Sequence, residues 1–294
     1  MKNIWHSFAK PSPMRCTAGV LALMIAWQVF FATPQARAQV TLPILMYHHF
    51  MLDATKHNDY VISPNQFEED IVALQQEGYT FVSVQQMVNY VFSGAELPPK
   101  PILLTIDDGQ QSGYYYAFPI LKKYNVPALL SVIGSQVETY TALHDTMTEA
   151  QRISYGYLTY TQIEEMIESG FVEIGNHTYD MHTIDDRRKG VLKTQNETLE
   201  EYERIFGADI EKTQALLEAN LGYQPRAFTY PFGFTNAASD DVVRGAGFVL
   251  TFGCAAGVNT LSADITCLYN MKRFNRNYLF SAQDILSLIT TYSG

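Results

Sequence analysis

The chain has 294 residues, 47% of them hydrophobic, with 18 glycines and 12 prolines, so it can bury a substantial core and is neither disordered nor fibrous. Its formal charge of −10 argues against nucleic acid as a partner. No internal repeat or low-complexity linker divides it, and one catalytic-sized domain is the expectation.

Residues 1 to 38 read as a secretory leader. Lys2, Lys10 and Arg15 precede an apolar run from about Ala18 to Ala32, and Pro34 and the small-residue pattern Ala36-Arg37-Ala38 follow it. The run is shorter than the roughly 20 residues of a membrane-spanning helix. Cleavage near Ala38 would leave an exported chain, periplasmic or secreted, touching a membrane only if the leader stayed attached. It would also remove four basic and no acidic residues, making the remainder more negative. Cys254 and Cys267 are then an even pair in an oxidising compartment, which suggests a disulfide, with two separate buried thiols as the alternative.

From residue 39 onward, short apolar runs alternate with amphipathic stretches. Strands are expected at Leu42–Tyr47, Thr80–Val82, Ile102–Ile106, Ala128–Ile133, Phe171–Ile174, Ala227–Tyr230 and Phe248–Phe252, with a weaker one at Leu268–Phe274. Ser63-Pro64 and Ser83 supply helix starts between the early strands. Further helices fit Tyr115–Tyr124, Gln162–Ser169, part of Leu192–Leu221, Ala238–Ala246 and Ala282–Thr291. This alternation predicts an α/β fold, a distorted (β/α) barrel of about seven units. The stretch Glu138–Thr159 reads as an insertion near the barrel mouth, a substrate-facing loop.

Four polar clusters stand where predicted strands end: Tyr47-His48-His49, Asp107-Asp108-Gly109, Asn176-His177-Thr178 and Tyr230-Pro231-Phe232-Gly233. Strand ends of a barrel surround one mouth, so the four can converge. The adjacent carboxylates Asp107 and Asp108 suit a division of labour in which one binds a cation and the other takes a proton from water. His177 and His182 are five apart, wrong for one face of a helix. With an aspartate they form a two-imidazole, one-carboxylate set with open positions, as a catalytic metal site needs. Arg226 could pair with a catalytic carboxylate, and a backbone N–H near Tyr230 could hold a developing oxyanion.

Together these segments resemble the polysaccharide deacetylase family with the NodB homology domain, carbohydrate esterase family 4, over about residues 40 to 280. The family's Thr-Phe-Asp-Asp-Gly motif is matched by Thr105–Gly109, its His-Ser/Thr motif by His177–His182 and its Arg-x-Phe-x-x-Pro-Tyr-Gly motif by Arg226–Gly233. Ile106, Thr229 and Phe232 depart from the usual residues, and Thr229 leaves the charge network around the base less defined.

The resemblance implies a hydrolase that removes N-acetyl groups from N-acetylglucosamine-type polysaccharide and releases acetate. Asp108, His177 and His182 would hold a divalent metal, commonly zinc. Asp107 would be the base, Arg226 its partner and the N–H of Tyr230 an oxyanion donor. The family's later Leu-x-His motif is absent, since no histidine follows His182. The placement of His48-His49 ahead of the aspartates is similar to poly-N-acetylglucosamine deacetylases and implies His48 as general acid, with His49 the alternative. The same likeness allows poly-N-acetylglucosamine, peptidoglycan or chitin-like polymer as the partner. Other outcomes for such a fold are a noncatalytic carbohydrate-binding protein or an O-acetyl esterase.

Overall fold

The computed structural model describes residues 38–186 and 188–293. The expected leader lies outside the described residues apart from Ala38. Among the described residues no helix is long and apolar enough to cross a membrane.

Seven parallel strands form one curled sheet: β1 Ile44–Tyr47, β2 Pro101–Ile106, β3 Ala128–Val132, β4 Val172–Asn176, β5 Ala227–Thr229, β6 Leu250–Phe252 and β7 Phe274–Asn275. Their order is β6-β5-β4-β3-β2-β1-β7, with Thr80–Phe81 added beside β2. A parallel bridge from Phe252 to Met271 brings the chain entering β7 against β6, so the sheet curls almost to closure. This is the expected distorted (β/α) barrel, with helices on its outer face.

β2 and β3 are buried along their whole length, as parallel strands covered on both faces must be. Alternation then sorts their side chains. Ile102, Leu104, Ile106, Leu130 and Val132 pack outward under the helices, in the core that also holds Phe67, Ile71 and Ile163. Leu103, Leu129, Ala227, Leu250 and Phe252 share a second cluster with Ile44. Continuing the alternation past Leu103 and Thr105 brings Asp107 to the inner face at the mouth.

The outer helices start where the sequence says. Ser63 and Ser83 each accept from the backbone N–H three residues on, and Gln66 and Gln86 return the bond. Two expectations are revised. Glu138–Thr159 is largely helical, within Gly134–Leu143 and Glu149–Tyr155, and it is tied to the aspartate turn by Gln111 N–H to Gly156 O and Leu158 N–H to Gly109 O, 2.8 Å each. The helix expected from Tyr115 begins as a π-turn, Gly113–Ala117, immediately beyond that turn.

Candidate active site

The register of β1 against β2 pairs Met46 with Thr105 and Tyr47 with Ile106, so His48 and Asp107 follow side by side at the barrel mouth. Successive residues of an extended chain face opposite ways. Tyr47 turns outward and donates to Asp70, 3.1 Å away. His48 turns into a cavity of about 350 Å³ that Asp107, Asp108, His177 and His182 also line. His49 turns away again, its Nδ1 2.6 Å from Ser112 Oγ, and burial pulls its pKa down to about 4. Of the two histidines, only His48 faces the cavity.

Asp108 has the left-handed φ of 70°, and Gly109 follows at 74°. A Cβ on Gly109 would lie 3.0 Å from Val132 Cγ1, so the tight turn that aims the two carboxylates requires glycine. Thr178 at 70° and Phe232 at 58° are left-handed as well. Strained non-glycine residues thus gather around one mouth, as they do at functional sites.

Asp108 Oδ1 lies 3.4 Å from His177 Nε2 and 3.3 Å from His182 Nε2, and the three ligand atoms fall within 4.8 Å of one another. Ligands about 2.1 Å from a tetrahedral cation would sit about 3.4 Å apart, so the spacing fits a metal. Two further observations agree. Asp108 Oδ1 is buried with no hydrogen-bond partner. His177 Nδ1 donates to Thr229 O at 2.7 Å, which turns Nε2 toward the triad. Burial works to raise the Asp108 pKa, but the two imidazoles facing it outweigh that and hold it well below the usual range. The loop between the histidines is clamped by Asp209, on the helix Leu199–Leu221, which accepts the N–H groups of Tyr179 at 2.7 Å and Asp180 at 2.9 Å.

Arg226 does not meet Asp107. It stands at the start of β5, the opposite end of the barrel from the aspartates, where it is exposed and donates to Gln85 Oε1 at 2.6 Å. Arg273 holds Asp107 instead. Its Nη1 and Nη2 each donate to one carboxylate oxygen at 2.8 Å, its Nε donates to Gly253 O, and Nη1 also reaches Thr105 Oγ1 at 3.1 Å. Burial pushes the Asp107 pKa up, and the charge and hydrogen bonds of Arg273 pull it below the ordinary value. The sequence carried a faint signal for this residue, an arginine in the stretch Leu268–Phe274 expected to be a weaker strand, where a buried charge needs a partner.

Tyr230 is corrected too. Its N–H donates to Phe252 O at 3.0 Å, extending the sheet, and its hydroxyl donates to Asp240, so neither group is free for an oxyanion. From that motif Phe232 lines the cavity, its ring 4.3 Å from that of His182. Gly233 is required behind it, because a Cβ there would lie 2.6 Å from Cys254 Cβ. Tyr60, which no sequence pattern singled out, forms the facing wall 5.0 Å from the His48 ring and is 56% exposed. Thr229 Oγ1 is paired with Ser131 Oγ at 2.7 Å.

The cysteines form no disulfide. Cys254 Sγ is 3.9 Å from Met46 Sδ in the cavity wall, whereas Cys267 Sγ lies 4.0 Å from Ser262 O in a separate turn.

Comparison with known proteins places this arrangement. A family model described as polysaccharide deacetylase matches residues 94–251. A protein of Escherichia coli (strain K12) named poly-beta-1,6-N-acetyl-D-glucosamine N-deacetylase is 26% identical over 235 residues, 74% of this chain and 34% of that protein. The chain therefore spans about a third of that relative's length. The solved structure of IcaB from Ammonifex degensii is 30% identical, with a TM-score of 0.68 over 84% of this chain and 96% of that one. A de-N-acetylase from Aggregatibacter actinomycetemcomitans shares the fold, at 24% identity and a TM-score of 0.73 over 85% of this chain and 100% of that one. With the family model covering more than half of its length, the chain belongs to the polysaccharide deacetylase family.

Proposed function

We propose that this chain hydrolyses the N-acetyl groups of a poly-N-acetylglucosamine polysaccharide, with Asp107 as base and His48 as acid. The observation that carries the reading is Asp107, ionised by a bidentate arginine, sharing one cavity with the Asp108-His177-His182 triad and His48. The relatives named for poly-beta-1,6-N-acetyl-D-glucosamine favour that polymer over peptidoglycan or chitin. The pattern of residues 1 to 38 supports export to where such a polymer lies.

A divalent cation, zinc foremost, held by Asp108, His177 and His182 would lower the pKa of a water and polarise the acetyl carbonyl. The chain's own residues do the rest. Asp107 accepts a proton from the attacking water at a carboxylate oxygen, and Arg273 keeps that oxygen ionised and aimed. His48, which lines the same cavity, gives a proton to the sugar nitrogen as the carbon–nitrogen bond breaks. Acetate and a free amine result. The rings of Phe232 and Tyr60 flank the opening with flat apolar surface suited to a sugar ring.

Acetate release from N-acetylglucosamine oligomers, by the purified chain stripped of metal and then given zinc or cobalt, tests the reading. Cation-dependent release that Asp107→Asn abolishes is expected. A folded chain that binds the oligomer and releases nothing with either cation overturns it.

A further inference from the structure

Among the residues that line the cavity, two buried polar atoms that the catalytic roles above do not explain have no hydrogen-bond partner. They are Nδ1 of His48 and Oδ1 of Asn275. Buried donors and acceptors without partners are costly and rare, so a complementary pair of them in one cavity calls for a reason. Both residues line the cavity of the metal triad. The sheet explains why they share it: Asn275 pairs with Met46 across β7 and β1, and His48 lies two residues beyond Met46, on the same face.

The amide of Asn275 cannot be read the other way round. Its Nδ2 donates to the carbonyl of Asp59 at 2.7 Å, which fixes Oδ1 as the remaining atom, an acceptor only. The residue after Asp59 is Tyr60, whose ring packs edge-on against His48. The segment that holds the amide therefore also braces the imidazole.

We propose that Asn275 is the positioning residue of His48: when substrate fills the cavity, the imidazole turns its Nδ1–H onto Asn275 Oδ1, leaving Nε2 to deliver the proton. The inference rests on the deacetylase reading above. The proton leaves Nε2 for the sugar nitrogen as the carbon–nitrogen bond breaks, and neutral His48 keeps its other proton on Nδ1, the tautomer that an acceptor at Oδ1 favours. His48 then regains a proton from solvent. A neutral amide does this without adding a third carboxylate beside Asp107 and Asp108.

The test is a double-mutant cycle on two substrates. Asn275→Ala should lower kcat on N-acetylglucosamine oligomers about tenfold with KM and metal content unchanged. It should leave hydrolysis of an aryl acetate within about twofold, because a phenolate leaves without a proton. In a His48→Gln background the same substitution should cost nothing further, since a residue acting through His48 has no effect once His48 is gone. Equal losses on both substrates, or losses that multiply in the double variant, overturn the proposal. A second measurement needs neither activity nor the variant. Nitrogen-15 spectra of the histidines in the metal-free wild-type chain saturated with N-acetylglucosamine oligomer, with His48 assigned by its loss in His48→Gln, should show its proton on Nδ1 when neutral; a proton on Nε2 overturns the proposal. A wild-type chain with no deacetylase activity would sink the functional reading instead, and the spectra would still report on the pairing.

Discussion

The guanidinium of Arg273 and the carboxylate of Asp107 meet through two hydrogen bonds of 2.8 Å, with the two side chains 0% and 2% exposed. Removing one partner of such a pair costs roughly 3–5 kcal/mol because the other charge stays buried. Arg273→Gln should therefore destabilise the fold by about that amount in denaturant titrations. The folded pKa of Asp107 lies below its ordinary 3.8, so in the wild type the pair stabilises at every pH above that value, and the contribution is lost as pH falls through the depressed one. Without Arg273 burial is opposed only by the weaker attractions of His177 and His48, and the acid limb of kcat/KM should move up by about one pH unit. An unmoved limb would detach Arg273 from the base.

The neighbours His48 and His49 should behave differently. His48→Gln should reduce turnover by about 10²–10⁴-fold while the metal is retained, the span general acid catalysis contributes. His49→Gln removes a side chain that faces Ser112 and should leave turnover within about threefold. Steady-state rates beside metal analysis of both variants decide it, and an active His48→Gln would send the acid role elsewhere.

Arg226 is exposed and touches Gln85 rather than the mouth. Arg226→Ala should change kcat less than about twofold and stability by no more than about 1 kcal/mol. A large loss of kcat with unchanged stability would restore the role that the motif resemblance implies.

Asp209 touches no ligand atom but holds the loop that carries both histidines. Asp209→Ala should weaken cation binding about 10–100-fold, as loss of a supporting group does. Saturating metal should then recover most of the turnover. Calorimetric titration of the metal-free variant measures the first effect and a metal titration of rate the second. Turnover that stays low at saturation would mean the loop does more than hold the cation.

Cation binding to the folded chain alone should raise its stability by about 2.7 kcal/mol at a hundred times the dissociation constant. Chelation should lower the melting temperature of the wild type and leave that of a His177→Ala, His182→Ala double variant unmoved.

The sequence by itself determined the first six barrel strands, the helix caps and the three motifs, because burial periodicity and turn chemistry are local, whereas the weaker strand expected at Leu268–Phe274 forms only at Phe274–Asn275. Asp107, Asp108, His177 and His182 each follow an apolar run, and strand ends of one sheet have only one mouth to share. Helix starts at Ser63 and Ser83 needed no more than their own first turns. The tertiary structure decided which charge answers which. Arg226 sits in a recognisable motif, yet it immediately precedes β5, so it stands at the wrong end of the barrel to reach Asp107. Arg273 comes 166 residues after Asp107 in no recognised motif, and the curl of the sheet brings it there. Register against β2 and side-chain alternation, not composition, chose His48 over His49. The pairing of β7 with β1 set Asn275 beside Met46, on the face that His48 shares. Partners distant in the chain are fixed by closure of the sheet, and no spacing within a single motif encodes that closure.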